Sequence, residues 1–176
     1  MPQLFEFKAR VDDWLNMEKQ LQALNPVFKG TDIQEDTYFN VVKGRLKLRE
    51  GSIENALIHY QRKNIAGAKL SDVLLYKHHP ELSLKEILTK ALGIKIIVKK
   101  SRKIYFVDNV KIHFDIVEDL GNFIEVEAID KNGSIGQEKL KEQCNYFISI
   151  FKIKKEDFIA ESYSDLLLNK KAKFKK

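Results

Sequence analysis

Cysteine is almost missing from this sequence: Cys144 stands alone among 176 residues. A single thiol excludes an internal disulfide framework and fits a reducing compartment. Proline (3 residues) and glycine (8 residues) are also scarce, so no Pro-, Gly- or Ser-rich linker divides the chain. Internal repeats and low-complexity stretches are absent too. No apolar run approaches the ~20 residues that span a bilayer. The opening stretch MPQLFEFKAR lacks the basic start and apolar core of a secretory signal. The expectation is a cytoplasmic protein without membrane contact.

Charge, by contrast, is plentiful. Charged residues make up 32% and hydrophobic residues 44%, the balance of a soluble globular chain. The net charge is +6, yet Lys170, Lys171, Lys173, Lys175 and Lys176 crowd the end, and without them the remainder carries only +1. One domain over residues 1–169 is expected, followed by a basic, disordered tail at 170–176. The interest therefore lies in where the charges sit.

Helical spacing marks three segments. Asp12 or Asp13 can cap the first, in which Trp14, Met17, Leu21 and Leu24 recur every three or four residues. Ser83 with Glu86 forms a capping box for the second, and Gly93 stops it. Ser134 with Gln137 repeats that signal for the third, whose stripe is Leu140, Cys144, Phe147 and Phe151. Within that stripe Cys144 reads as core filling and not as a nucleophile. Short segments rich in Ile, Val, Phe, Tyr and Leu predict strands near 3–11, 36–42, 44–50, 56–63, 68–76, 94–101, 103–107, 110–117 and 122–130. The fold class is α+β with a sheet-dominated core.

Residues i, i+2 and i+4 share one face of a strand. That rule groups Glu6, Lys8 and Arg10, then Arg45, Lys47 and Arg49, then Lys100 and Arg102. It also groups His113 with Asp115, and Glu125 with Glu127; Arg62 and Lys69 flank the loop 64–67. An antiparallel sheet with one wet face would account for such alternation. However, Arg45, Lys47 and Arg49 repel one another unless an anion lies between them. The basic set suits a polyanion, and the acidic set suits a hard divalent cation. If these charges point into a closed sheet, their burial must be compensated, because an unpaired buried ion costs several kcal/mol. A charge-lined interior would then be a site. Nucleic-acid binding by a basic sheet predicts aromatics among the charges; Phe5, Phe7 and Phe114 fall on the opposite face, so no specific nucleic-acid partner is expected.

The pieces FEFKAR (5–10), QEDTYFN (34–40), GRLKLRE (44–50), YQRKNIAGAKLSD (60–72), KKSRKIY (99–105), IHFDIVEDLGNFIEVE (112–127) and ESYSDLLL (161–168) occur in an order that resembles the CYTH family, the triphosphate tunnel metalloenzymes, and within it the class IV adenylate cyclase-like group. The resemblance covers nearly the whole chain. It implies a closed antiparallel eight-stranded β-barrel with flanking helices, whose tunnel binds a triphosphate and Mg2+ or Mn2+. On that likeness Lys8, Arg10, Lys47, Arg49, Arg62, Lys69, Lys100 and Arg102 would grip phosphate, with Ser71 beside Lys69. Glu6, Glu125 and Glu127 would hold metal, with Asp115 as a further ligand or supporting acid. Lys8, Glu6, Glu125 and Glu127 would be the catalytic set.

The implied reaction is ATP to cyclic AMP and pyrophosphate. The alternatives are a tripolyphosphatase, nucleoside triphosphatase or thiamine triphosphatase, or a module that binds polyphosphate or nucleotide without turnover. The last draws support from one departure: the family's opening E-x-E-x-K has Leu4 at its first glutamate. The protein would act as a monomer or homodimer. His113 faces inward by alternation, suited either to ligand contact or to a structural hydrogen bond. His78 and His79 read as surface, Tyr38 and Tyr60 as barrel packing, and Tyr163, Ser164 and Asp165 as an anchor for the C-terminal segment without a chemical role.

Overall fold

The computed structural model describes residues 3–61, 67 and 69–173. Along the chain come β1 (Gln3–Arg10), α1 (Trp14–Gln22), β2 (Val27–Phe39), β3 (Arg45–Gly51), β4 (Ala56–Gln61) and β5 (Lys69–Lys77). Then follow α2 (Leu82–Leu92), β6 (Ile94–Val107), β7 (Val110–Val117), β8 (Gly121–Asp130), α3 (Gln137–Ile150) and α4 (Tyr163–Lys173). No helix among the described residues is long and apolar enough to cross a membrane.

The architecture is an antiparallel, curled eight-stranded sheet with four helices. Strands hydrogen-bond in the order β1-β5-β4-β3-β2-β6-β7-β8, and β1 pairs back with β8. The two sides of β1 differ. Toward β8 the register runs from Gln3↔Asp130 to Arg10↔Phe123, whereas toward β5 it consists of Leu4↔Ser71, Phe5↔Leu70 and Glu6↔Lys69. The barrel expected from the sequence is, in its coarser form, this curled eight-stranded sheet, and among the described residues its strands β1 and β5 pair at Leu4–Glu6.

Apolar side chains of this sheet face outward at one flank, toward helices. Phe7, Ala9, Ile112, Phe114, Ile124, Val126 and Ala128 form one cluster with Leu21 of α1 and Leu140, Cys144, Phe147 and Phe151 on the α3 stripe. Burying each large apolar side chain contributes about 1.5–3 kcal/mol, so this outer layer carries much of the stability and leaves the inner face free for polar groups. The Cys144 Sγ donates to the Phe5 carbonyl at 3.3 Å, and burial pushes its thiol up to about 12. It is an inert core residue. A second cluster joins Tyr38, Ala56, Ile58, Tyr60, Val98 and Phe123 to Tyr163 and Leu167 of α4, which packs across one end of the curl.

Several boundaries differ from the sequence expectation. Residues 94–101 and 103–107 form one strand, β6. Strand β2 begins at Val27, well before residue 36, because its inward side carries Asp32, Gln34 and Asp36 and shows no apolar alternation. Asp13 does cap α1, accepting from the Asn16 N–H at 3.2 Å. Ser83 lies inside α2, which starts at Leu82 without a side-chain cap. Ser134 is likewise no cap for α3; the loop before it is organised by Asp130, whose carboxylate accepts backbone N–H groups from Asn132, Gly133, Ser134, Ile135 and Gly136. Finally, α4 continues to Lys173, so the first residues of the expected tail are helical.

Candidate functional site

The curl encloses a cavity of about 890 Å³ whose lining includes Glu6, Lys8, Lys47, Arg49, Lys100, Arg102, Glu125 and Glu127. Alternation places them there: each is one step of two residues from its neighbour on the same strand, and intervening side chains such as Phe7, Leu48 and Val126 face the other way. Arg49, Lys100 and Arg102 are 6%, 5% and 2% exposed, values at which charge must be compensated.

Part of the compensation comes from a residue that the charge-face reading passed over. Asp36, on β2 opposite Arg49, accepts from Lys47 Nζ at 2.9 Å, from Arg49 Nε and Nη2 at 2.8 and 2.9 Å, and from Lys100 Nζ at 2.7 Å. Burial opposes its ionisation, but Arg49, Lys100 and Lys47 outweigh it and hold the carboxyl well below the usual range. The anion required between like-charged strand residues is therefore, in part, the protein's own. One carboxylate facing three cations still leaves a positive excess. Burial pushes the Lys100 ammonium well below its ordinary pKa; Asp36 pulls the other way, and Arg49, Arg102 and Lys47 reinforce the burial effect. An incoming anion would relieve that crowding.

A second knot surrounds Arg102. Its guanidinium donates through Nε and Nη2 to both oxygens of Asp115 at 2.7 and 2.6 Å, and Nη2 also reaches Glu125 at 2.8 Å. Tyr163 Oη donates to Asp115 at 2.8 Å. Asp115, expected among the metal ligands, is thus committed to Arg102 and Tyr163 and sits behind the cavity wall. Lys8 lies 3.6 Å from Glu125 and 4.1 Å above the Tyr163 ring, and Lys100 lies 5.7 Å from that ring. Tyr163, read from sequence as a plain anchor, therefore lines the site.

The acidic wall is built by register. Glu6 on β1 pairs with Glu127 on β8, Lys8 with Glu125, and Glu125 with His113 on β7. Burial, together with Glu125 and Glu6 and against Lys111, pushes the Glu127 carboxyl up to about 7. His113 is fully buried, and neither ring nitrogen has a hydrogen-bond partner among the described residues. Burial, Arg102 and Lys111 lower its pKa to about 3, so the ring is neutral at physiological pH. Leaving a buried polar atom unmet costs about 1–3 kcal/mol. One oxygen each from Glu125 and Glu127 and a ring nitrogen of His113 lie within 4.8 Å of one another, a grouping able to hold a metal ion. The donor set of carboxylates plus imidazole fits a divalent cation.

The floor comes from the loop after β3. Asp32 accepts from the Ile53 and Glu54 N–H groups at 2.8 and 2.9 Å and from Ser52 Oγ at 3.1 Å. At Gly51 a Cβ would lie 2.6 Å from Asp32 Oδ1, so only glycine lets the loop approach. This holds Glu54 against Arg49 at 3.1 Å and against Lys111, which lower its pKa below the carboxylate range despite burial. Neither Glu54 nor Lys111 belonged to the charged faces grouped from sequence: the first lies on a loop, and the second, in step with His113 and Asp115, stands next to the start of β7.

Other sequence candidates fall elsewhere. Arg10 is exposed, donating to the Leu120 carbonyl at 2.6 Å with its guanidinium 4.7 Å over Phe123, and does not line the cavity. Arg45 pairs with Asp165 at 2.7 Å. Arg62 lies outside the described residues; for Lys69 and Ser71 only the backbone pairing with β1 is described. Leu4 lines the cavity, as do Tyr38 and Tyr60. His78 and His79 stand at its rim.

The CYTH domain model matches residues 3–163. A Methanocaldococcus jannaschii protein bearing the name of a candidate adenylate cyclase is 26% identical over 170 residues, covering 92% of this chain and 96% of the relative. A solved Pyrococcus horikoshii structure superposes with a TM-score of 0.78 at 23% identity, covering 93% of this chain and 98% of that one. An RNA triphosphatase from S. pombe shares the fold more distantly, with a TM-score of 0.52 at 11% identity over 86% of this chain and 79% of its own.

Proposed function

Because the chain belongs to the CYTH domain family, we propose that its cavity binds a linear triphosphate with a divalent cation and processes it, with conversion of ATP to cyclic AMP and pyrophosphate as the leading activity. The observation that carries this reading is the convergence of Lys8, Lys47, Arg49, Lys100 and Arg102 on one enclosed space, together with Glu6, Glu125 and Glu127. Folding alone would favour apolar filling there.

In this reading Lys47, Arg49 and Lys100 bind phosphate oxygens, exchanging part of their contact with Asp36 for the substrate. Arg102, fixed by Asp115, offers a guanidinium whose orientation is set before substrate arrives, so no reorganisation is needed as charge develops. Lys8, 3.6 Å from Glu125, offsets charge on the leaving pyrophosphate. Glu6, Glu125 and Glu127, with His113 near them, are the residues that would hold the cation. When bound, such an ion neutralises phosphate charge and polarises phosphorus. In cyclisation the ribose 3′-oxygen attacks the α-phosphorus, the bond to pyrophosphate breaks, and the hydroxyl proton passes to a carboxylate of the acidic wall.

A second reading, binding without turnover, is favoured by Leu4, which places a methyl-ended side chain on the cavity wall next to Glu6 on β1. Incubation with ATP, tripolyphosphate and thiamine triphosphate, each with Mg2+ and with Mn2+, separates the readings. Cyclic AMP with pyrophosphate supports the cyclase, and orthophosphate release supports a hydrolase. Calorimetric binding without any product supports the module. No binding of any of the three compounds overturns the triphosphate site altogether.

A further inference from the structure

We propose that the cation site of this cavity includes the His113 imidazole as a direct ligand, and that it therefore takes a first-row transition ion in preference to Mg2+. The inference rests on the preceding reading in placing a cation beside Glu125 and Glu127; it adds a ligand and a class of metal.

Alternation puts Lys111, His113 and Asp115 on the inner face of β7, and register sets His113 against Glu125 and Lys111 against Glu127. His113 Nδ1 lies 3.8 Å from Glu125 Oε2 and 3.8 Å from Glu127 Oε1. With ligand bonds of about 2.1 Å, neighbouring octahedral ligands stand about 3.0 Å apart and opposite ones about 4.2 Å apart. The three groups are therefore spaced as a slightly expanded cation shell.

The second observation is the state of the ring. The large majority of buried side-chain polar atoms have a hydrogen-bond partner, and one without a partner calls for an explanation such as a bound ion. His113 is 0% exposed and has neither nitrogen satisfied among the described residues. Its neighbour Asp115 is the contrast, with both oxygens taken by Arg102 and Tyr163. Either tautomer of a neutral imidazole leaves one nitrogen lone pair. Of the cations facing this ring, Arg102 shares Glu125 and Lys111 is paired with Glu54. An entering ion would exchange the Arg102–Glu125 contact for its own. Nitrogen ligation strengthens binding along the first-row transition series, whereas Mg2+ favours an all-oxygen shell that retains water.

The test uses the metal-free full chain with tripolyphosphate, which contains no nitrogen. Electron spin-echo spectroscopy of bound Mn2+ should show a directly coordinated 14N, and the signal should vanish in His113→Gln. In parallel, Co2+ affinity should fall in that variant by at least the roughly 10–100-fold lost when a group supporting a metal ligand is removed, while Mg2+ affinity changes far less. Mn2+ bound without coupled nitrogen, no Mn2+ binding, or a Co2+-to-Mg2+ preference unchanged by His113→Gln would each overturn the inference. If that variant fails to fold, the nitrogen coupling of the unmodified protein decides alone. Tripolyphosphate binding measured by calorimetry without metal is a separate readout: its absence counts against the triphosphate site, not against the histidine ligand.

Discussion

Asp36 and Lys100 form an ion pair of 2.7 Å in which each side chain is 1% exposed, and the same carboxylate also holds Arg49 and Lys47. The pair joins β2 to β6, and Lys100 is its member that lines the cavity. Asp36 thus takes, among Lys47, Arg49 and Lys100, the place of a shared counterion.

Replacing Asp36 by Ala should be costly, because three cations lose a counterion that they share. Breaking a buried ion pair from one side costs about 3–5 kcal/mol. Urea unfolding should show a loss of that order, and added tripolyphosphate should raise the midpoint of Asp36→Ala more than that of the unmodified protein. Equal increments in the two proteins would mean that the phosphate does not bind beside Asp36.

Acid stability follows from the same residue. The folded-state pKa of Asp36 is depressed by Arg49, Lys100 and Lys47 against burial. Its contribution is therefore complete above the unfolded value of about 3.9 and disappears as pH falls through the lower folded value. Asp115, held down by Arg102, acts in the same direction. Unfolding midpoints collected downward from neutral pH should decline in acid, and the decline should be shallower in Asp36→Asn. An unchanged acid limb in that variant would rule out Asp36 as its source.

Lys8 and Arg10 stand two residues apart on β1 and separate the site from its surroundings. Lys8→Ala should lower kcat/KM for the cognate triphosphate by about 100-fold or more, the scale of losing one preorganised charge-stabilising donor. Arg10→Ala should leave it within about threefold, as for an exposed side chain. Equal losses would return Arg10 to the cavity.

Tyr163→Phe removes the hydroxyl that donates to Asp115 at 2.8 Å and should cost about 0.5–1.5 kcal/mol of stability. Because Asp115 in turn orients Arg102, triphosphate affinity should fall with it. Unaltered affinity in a stable Tyr163→Phe protein would reduce α4 to an end plug.

Leu4→Glu adds an oxygen ligand to the cavity wall. Metal titration should show tighter binding, and any turnover limited by cation affinity should rise. Tighter metal binding without any gain in turnover would show that Leu4 does not limit activity.

Two-residue periodicity and charge, both local properties of the sequence, determine which face of a strand each side chain takes. A side chain's face on a strand follows from its parity, so Glu6, Lys8, Lys47, Arg49, Lys100, Arg102, Glu125 and Glu127 could be assigned to one surface, and the α3 stripe to the opposite layer. Parity says nothing about which residues of distant strands meet. Register alone set Asp36 against Arg49 and Asp115 against Arg102. It also set His113 beside Glu125, and only chain path brought Tyr163 from the last helix and Glu54 from a loop into the same space. Local sequence encodes the direction of a side chain. The partner that compensates a buried charge is fixed by how the sheet curls, because electrostatic energy depends on distance in space and not along the chain.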